Sequence, residues 1–553
     1  MNKTALKNFA TALRRELMGE VLGRIDYLMG FDEASLPAKY RGRTKELAAL
    51  REAIERQGKE EVVEQVAYLW ANRLVALRYM DAAGINAPMA VSPRAGETQP
   101  EIFAEAKAGN IDEALPLDRE RFYALLDGRI AAEDPQNEAY AMLFLAVCHH
   151  YHGLMPTMFE EAEDYTELLM PADLLSAASV RARVVEAMGE EDCRDVEIIG
   201  WIYQFYIAEK KDEVFAALKK NRKITPQNIP AATQLFTPHW IVKYLVENSL
   251  GRLWMRNRPG SKLKERMRYY IEQEESERFI RVDSPEEIRL IDPCCGSGHM
   301  LTYAFDLLTA IYEEEGYRPS EIPALILEHN LYGCDIDKRA ASLAAFALTM
   351  KAREYHRRFF RKQVRPKVIE LQDFGSELFA DIKNVGSLLT VDEGAEEFDE
   401  GVFGASSPEY ELQKEMLASR YHVCVTNPPY MGSKGMNKAL KAFVAKHYPD
   451  AKADLFAAFI ERCLEFTEQD GYTALITMQS WMFLSSYEKL RKKLLKNYTI
   501  KTMAHLDNMV MGIAFGTSAT IWQKTKPSKD ATGVYFKIAL SDLDENREIK
   551  GLW

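Results

Sequence analysis

The feature that most constrains the fold is a short apolar strand followed by a glycine-containing turn and a helix. Residues 288–291 are the predicted strand and residues 301–315 the helix. The turn between them reads Asp292-Pro293-Cys294-Cys295-Gly296-Ser297-Gly298. Such a unit opens a doubly wound parallel sheet, whose ligands bind at the carboxyl ends of the strands. The turn is not a Walker loop, because no Gly-Lys-Ser/Thr follows, and it lacks the third glycine of a dinucleotide fingerprint.

Two more strands end in residues suited to an adenosine ligand. Residues 330–335 form the second predicted strand, which ends at Asp335, Ile336 and a further acid. An acid at the end of a second strand is where such folds hold a ribose diol. The third strand, 367–371, leads to Asp373 and Phe374. The Asp373 carboxylate can accept from an adenine amino group, and the Phe374 ring can lie against the base.

A fourth strand at 423–425 runs into Asn427-Pro428-Pro429-Tyr430. Each proline fixes φ and removes a backbone donor, so the exit from the strand is rigid. The Asn427 side-chain oxygen and the Pro428 carbonyl can accept hydrogen bonds, and Tyr430 can stack on a flat ring. Two acceptors beside an aromatic face suit an exocyclic amino group on a base. The alternative is an ordinary strand end followed by a proline turn.

The flanking regions give the domain organisation. Apolar spacing predicts an all-helical region at 1–228, whose role the pattern does not indicate. Strands and helices alternate through 229–530, apart from a long connection at 375–418, and long connections are usually functional or disordered. Residues 262–277 look like a charged, exposed helix. Residues 531–553 read as the start of a missing or truncated C-terminal region.

Composition indicates the cellular location of the chain and the kinds of partner it can bind. The 553 residues carry a formal net charge of −12, which argues mildly against nucleic acid, yet 351–367 and 489–501 are strongly basic. No apolar run reaches the length of a membrane span, and we find no signal peptide. Seven cysteines form no disulfide framework, so a cytoplasmic location is expected. Cys148-His149-His150-Tyr151-His152 fits no zinc spacing, and we predict no metal site.

Taken together, these motifs resemble those of the amino-group DNA methyltransferases that use S-adenosylmethionine, over about 233–525. The resemblance implies a Rossmann-like α/β methyltransferase domain behind the helical region, with Asn427, Pro428, Pro429 and Tyr430 as its catalytic motif. Phe515 is a second candidate for stacking on a flipped base, in competition with Ile513. The cofactor-binding residues implied are Phe236, Thr237, Asp292, Cys294, Gly296, Gly298, Asp335, Ile336, Asp373 and Phe374.

The motif order and the Asn at the head of the catalytic motif are typical of adenine N6 methylation. The helical region, including 200–206 and the run through Lys210-Lys211 to 236–238, resembles a narrower group, the PglX methyltransferases of BREX phage-exclusion systems. That resemblance implies double-stranded DNA and other BREX components as partners, and no membrane. Members of this group are longer and carry a target-recognition region after the catalytic domain. We therefore expect either a partial chain or recognition from elsewhere.

Two other functions are compatible with the same motifs. A methyltransferase acting on protein glutamine or RNA amino groups uses Asn-Pro-Pro-Tyr too, because the nitrogen chemistry is the same. The large helical region and the basic stretch at 351–367 favour DNA over these substrates. A largely non-catalytic, cofactor-sensing and DNA-binding scaffold of a defence complex is the other alternative.

Overall fold

The chain forms two compact units, Met1–Glu209 and Lys210–Trp553. The structure is a computed structural model, and it describes residues 3–31, 40, 42–160, 165–220, 222–235, 237–273, 278–391, 407–529, 531–544 and 547–550. The division falls before the predicted domain boundary at 228. The reason is that the helix Ala208–Lys219 continues past Glu209 and buries Val214 in a core cluster of the second unit.

In the first unit the described secondary structure is helical, apart from one isolated antiparallel bridge between Pro93 and Pro100. The sequence pattern at 46–80 divides into two helices because Gly58, at φ 88°, turns the chain between them. His149 and His152 lie at the end of the sixth helix, where His149 pairs with Glu167 and His152 contacts the Phe159 carbonyl. The helices are α1 Lys3–Met29, α2 Thr44–Gln57, α3 Lys59–Ala82, α4 Glu101–Lys107, α5 Arg119–Leu126, α6 Pro135–His152, α7 Tyr165–Leu168, α8 Val180–Ala187 and α9 Glu197–Tyr206.

The second unit alternates strands and helices. Its helices are α10 Ala208–Lys219, α11 Ile229–Thr233, α12 His239–Val246, α13 Arg252–Asn257, α14 His299–Glu314, α15 Ile322–Leu325, α16 Lys338–Tyr355, α17 Ile382–Val385, α18 Pro408–Ala418, α19 Lys438–His447, α20 Leu455–Phe466 and α21 Glu488–Asn497. Its strands are β1 Leu290–Asp292, β2 Leu331–Asp335, β3 Lys367–Glu370, β4 Tyr421–Thr426, β5 Thr467–Met478, β6 Thr499–Leu506, β7 Thr517–Gln523 and β8 Val534–Ile538.

The eight strands found in the described residues form one mixed sheet in the order β3-β2-β1-β4-β5-β7-β6-β8. Neighbours from β3 to β5 are parallel, β7 is antiparallel to both β5 and β6, and β8 is parallel to β6. The central strands are buried on both faces, as parallel strands covered by helices must be. Two large apolar clusters, one on each face, hold the helices against the sheet. The predicted Rossmann-like α/β fold is therefore confirmed.

The interpretation of 531–553 as the start of a missing or truncated C-terminal region stays a prediction, and β8 within it adds to the edge of the same sheet through its pairing with β6. The prediction of an exposed helix at 262–277 was wrong. Within 262–277, only Lys262–Arg266 is helical, as a short 3-10 turn, among the residues described. Leu263, Met267 and Tyr269 are buried, since the segment lies against the core instead of projecting from it.

Among the described helices, none combines the length and the apolar character that crossing a membrane requires.

Candidate active site

A groove opens at the carboxyl ends of β1, β2 and β4, where the strand order changes direction. β1 pairs with β2 on one side and with β4 on the other, and open α/β sheets bind ligands at this switch point. The groove contains about 760 Å³ of empty space, part of it open to solvent, and ligand pockets measure roughly 300–1,000 Å³. Six predicted site residues line it, namely Cys294, Gly296, Asp335, Ile336, Asn427 and Pro429.

The turn after β1 is shaped by its acid and its two glycines. Asp292 is buried and accepts a hydrogen bond from the Cys294 amide at 3.1 Å. Burial, with a smaller effect of the Asp335 charge, raises the pKa of Asp292 to about 7. Gly296 has φ 51°, and a Cβ there would meet no protein atom within 4 Å. Gly298 differs, because a Cβ there would lie 2.9 Å from that of Ala344, so its role is close helix packing.

Asp335 lies at the end of β2, on the groove. Its carboxylate accepts from the amides of Gly296 at 3.0 Å and Asp337 at 2.9 Å. Burial, and next the charge of Asp337, raise the pKa of Asp335 to about 6. A carboxylate has about four acceptor sites, so two backbone donors leave Asp335 able to accept from a ribose diol.

Two walls of the groove were not recognised from sequence. One is the end of α17 together with the turn after it, where Gly386 has φ 56° and the Ser387 hydroxyl donates to the Pro293 carbonyl at 2.6 Å. The other is the segment at and after α11. The residues they contribute are Ile229, Pro230, Thr233, Gln234, Leu235, Asn384, Val385, Gly386, Ser387 and Leu388. The length of the 375–418 connection was the signal for the first wall, because long connections are often functional.

The chemistry of the groove fits S-adenosylmethionine. Apolar side chains of Ile336, Leu371, Val385 and Leu388 line it and offer a surface for a purine. Asp335 offers a carboxylate for the ribose, and the open backbone at Gly296 lets a ligand approach the turn after β1.

Asn427 follows β4 at the edge of the groove, with its amide held in one orientation. Its Nδ2 donates to the Leu235 carbonyl at 3.3 Å and to the Thr237 hydroxyl oxygen at 3.1 Å. Its Oδ1 is buried and has no hydrogen-bond partner within the described residues. A buried acceptor without a partner costs about 1–3 kcal/mol. Asn427 Oδ1 is therefore an unsatisfied acceptor beside the groove, as is Oε1 of the groove-lining Gln234.

Tyr430 is fixed by neighbouring aromatic residues and by one hydrogen bond. Its hydroxyl donates to the Ile476 carbonyl at 3.0 Å. Its ring meets Phe456 at 6.2 Å and Phe515 at 6.0 Å between centroids, both in edge contact. Ile513 packs with the core cluster on the other side of the sheet. Phe515 is thus the better placed of the two candidates, although a base between the rings would require it to move.

The remaining predicted residues that the structure describes do not line the groove. Thr237 is buried and contacts Asn427, and Pro428 is buried. Asp373 is exposed and accepts from the Gly375 amide, while Phe374 packs on Phe379 and Tyr410. Phe236 lies outside the described residues.

The fold and the groove define the class of the second unit as a Rossmann-like, S-adenosylmethionine-dependent methyltransferase domain. Residues 329–510 match the family model described as Eco57I restriction-modification methylase. The chain is also 37% identical to the adenine-specific methyltransferase BrxX of Escherichia coli O9:H4 strain HS, over 97% of the chain and 49% of BrxX. It is 34% identical to the adenine-specific methyltransferase PglX of Lacticaseibacillus casei strain Zhang, over 99% of the chain and 53% of PglX.

The chain is therefore a homologue of the BrxX and PglX adenine-specific methyltransferases over nearly its whole length, which confirms the resemblance seen in the sequence. It spans about half the length of these relatives. Among solved structures, a DrdV–DNA complex is similar with a TM-score of 0.48 at 12% identity, over 97% of this chain and 42% of that one. The MmeI–DNA complex is similar with a TM-score of 0.45 at 13% identity, over 97% of this chain and 59% of that one.

Proposed function

We propose that this chain carries the catalytic core of a DNA methyltransferase that transfers a methyl group from S-adenosylmethionine to adenine N6. The unpartnered Oδ1 of Asn427, beside a groove suited to the cofactor, is the observation that carries the proposal. The names of the relatives support adenine as the target. The resemblance to BREX methyltransferases supports a role in marking host DNA for phage defence, in the cytoplasm and with other BREX components as partners.

In the proposed reaction the target adenine is flipped out of the duplex, which costs a few kcal/mol. Stacking on Tyr430 offsets roughly 1–3 kcal/mol of that cost. One N–H of the adenine amino group then donates to Asn427 Oδ1, which satisfies the buried acceptor. The other N–H can donate to the Pro428 carbonyl, so the nitrogen lone pair is localised and directed towards the groove. S-adenosylmethionine, when bound, would supply the electrophilic methyl group, with S-adenosylhomocysteine as the leaving group and one proton of the methylated nitrogen released to solvent.

The residues of the groove position the cofactor in this proposal. Asp335 accepts from the ribose hydroxyls, and Gly296 provides the close backbone approach. Thr237 and Leu235 hold the Asn427 amide so that its oxygen, not its nitrogen, is available to the base. We assign Asp373 and Phe374 to the adenine end of the cofactor on the resemblance alone. Most of the rate enhancement then comes from positioning and from acceptors matched to the transition state.

The test is methyl transfer from labelled S-adenosylmethionine to host DNA that lacks the modification. We expect Asn427→Ala to abolish transfer and to leave cofactor affinity, measured by calorimetry, nearly unchanged. Retained turnover in this variant would contradict the assigned role. Transfer to RNA or to a protein glutamine, with none to DNA, would favour the alternative substrates. Mapping methylated adenines in host genomes with and without the gene then gives the target sequence.

A further inference from the structure

The catalytic segment leads directly into an excursion of the chain whose two ends are fastened together. The Met431 amide donates to Asp454 Oδ1 at 2.9 Å, and the Leu455 amide donates to the Met431 carbonyl at 3.1 Å. One residue pair further out, the Ser433 amide donates to the Ala453 carbonyl at 2.9 Å. Residues 433–453, which contain α19, are therefore held as a closed loop next to Tyr430.

The outer surface of this loop is cationic. α19 buries Leu440 and Val444 against the core, and its lysines lie on the opposite, exposed side. The exposed residues between the lysines on this helix are small ones, Ala439, Ala442 and Ala445, which leave room for close approach of a ligand. The exposed lysines of the loop are Lys434, Lys438, Lys441, Lys446 and Lys452, and its only acid is Asp450.

A second basic segment adjoins the first. The Ile224 amide donates to the Gly435 carbonyl at 3.3 Å, and the Lys223 ammonium donates to the Lys434 carbonyl. This contact places Lys223 beside the loop, and the exposed residues Lys219, Lys220 and Arg222 lie within four positions of it in the chain. We call these four cations and the five lysines of the loop the basic face. None of the nine forms an ion pair with another described residue, and all nine are exposed.

The basic stretch at 351–367 is placed differently. α16 begins after the carboxyl end of β2, and the chain re-enters the sheet at the amino end of β3. Residues 356–366 therefore lie at the edge of the sheet opposite the groove. Lys351 is also paired with Asp306 at 2.7 Å. This stretch lies on the side of the sheet away from the groove, whereas Lys434, the first lysine of the loop, follows Tyr430 by four residues.

We propose that the basic face binds the sugar–phosphate backbone of the DNA strand next to the flipped adenine. The inference rests on the proposed function, which requires a nucleic acid strand to pass beside Asn427. The chain has a net charge of −12, yet these exposed cations without ion pairs are concentrated at one place. Such a cationic surface is typical of a binding site for a polyanion. Contacts to phosphates position a duplex without reading its base sequence. We therefore expect the basic face to bind DNA of any sequence.

The test compares two variants that each remove four exposed cations. The first is Lys438→Gln, Lys441→Gln, Lys446→Gln and Lys452→Gln together. The control is Arg357→Gln, Arg358→Gln, Arg361→Gln and Lys362→Gln, at the opposite edge of the sheet. The probe is a fluorescently labelled duplex of mixed sequence, titrated at several salt concentrations with the full chain.

Removing one cation that neutralises a phosphate weakens binding by up to roughly eightfold at about 0.1 M salt and lowers the slope of log K against log salt by about 0.9. We expect both effects in the first variant, with a slope reduced by about 2–4, and neither in the control. Both variants should bind S-adenosylmethionine as the unsubstituted chain does, because the substituted side chains do not line the groove.

The outcomes separate this inference from the proposed function. If both variants bind duplex as tightly as the unsubstituted chain, the basic face is not the DNA contact, while methylation by that chain still supports the function. If the first variant loses affinity for an acidic protein or single-stranded RNA but not for duplex DNA, the assigned partner is wrong. If the unsubstituted chain binds no duplex at any salt concentration, the inference is overturned, and the methylation assay decides the function.

Discussion

Replacing Thr237 by Val tests how the Asn427 amide is oriented. The Thr237 hydroxyl oxygen accepts from Asn427 Nδ2 at 3.1 Å, and the side chain is 6% exposed. Valine has nearly the same shape and cannot accept a hydrogen bond. In the variant, Nδ2 keeps only the Leu235 carbonyl, at 3.3 Å, so one hydrogen bond instead of two holds the orientation of the amide.

The size of the effect follows from the one hydrogen bond removed. A neutral hydrogen bond contributes about 0.5–1.5 kcal/mol net, which corresponds to a fall in the rate of methyl transfer of about 2- to 13-fold. The affinity for S-adenosylmethionine should not change if Thr237 acts on Asn427 alone. Thr237→Ser keeps the oxygen and serves as the control, with a rate within about twofold of the unsubstituted chain.

The assay is single-turnover transfer of labelled methyl groups to DNA, with cofactor affinity measured separately by calorimetry. A lower rate at unchanged affinity supports orientation of Asn427 by Thr237. Weaker cofactor binding at an unchanged rate would refute this reasoning and would assign Thr237 to the cofactor, as the motif resemblance implies. Equal effects of the Val and Ser variants would point to packing instead of the hydroxyl.

Three further predictions concern the groove. Asp335→Ala should weaken S-adenosylmethionine binding by roughly 10- to 150-fold, which corresponds to the free energy that a hydrogen bond to a charged group contributes. Unchanged affinity by calorimetry would count against the assignment of Asp335 to the ribose. Burial raises the pKa of Asp292 from 3.8 to about 7 and that of Asp335 from 3.8 to about 6. Between these pKa values the folded apo protein binds more protons than the unfolded chain. The free energy of unfolding should therefore fall as the pH rises from about 4 to about 7. The cationic cofactor prefers the ionised carboxylates, so its stabilising shift in melting temperature should grow over that pH window, and a flat profile would contradict the assignment. Gly298→Ala should cost about 2–5 kcal/mol in urea unfolding, because it combines φ 88° with a Cβ 2.9 Å from Ala344, whereas Gly296→Ala has φ strain alone and should cost about 1–2 kcal/mol.

Local pattern predicted the parts of the site that lie in single stretches of chain. Strand, turn and helix follow one another at β1, β2 and β4, and each carboxyl end brings a functional group to the same edge of the sheet. Cys294, Gly296, Asp335 and Asn427 could be found for that reason. Periodicity and turn chemistry carry this information, because they act over only a few residues.

Contacts between distant segments could not be predicted in this way. The groove wall at Gly386 and Ser387 depends on the hydrogen bond from Ser387 to Pro293, across 94 positions of sequence. The segment 262–277 carries alternating charges, which favoured an exposed helix, yet the Tyr269 amide donates to the buried Glu247 carboxylate and ties the chain down. The basic face was missed because its two halves are 211 positions apart where Lys223 meets Lys434.

The orientation of Asn427 shows most clearly what the fold adds to the motif. An asparagine after a strand offers an oxygen and a nitrogen of nearly the same shape, and sequence does not say which one faces the ligand. Here both groups that contact Nδ2, the Leu235 carbonyl and the Thr237 hydroxyl, can accept a hydrogen bond. The reversed amide would set its oxygen against the Leu235 carbonyl and bury its NH₂ donors without partners, at about 1–3 kcal/mol. The segment before α12 therefore determines that Asn427 is an acceptor, and an acceptor is what an amino group about to be methylated requires.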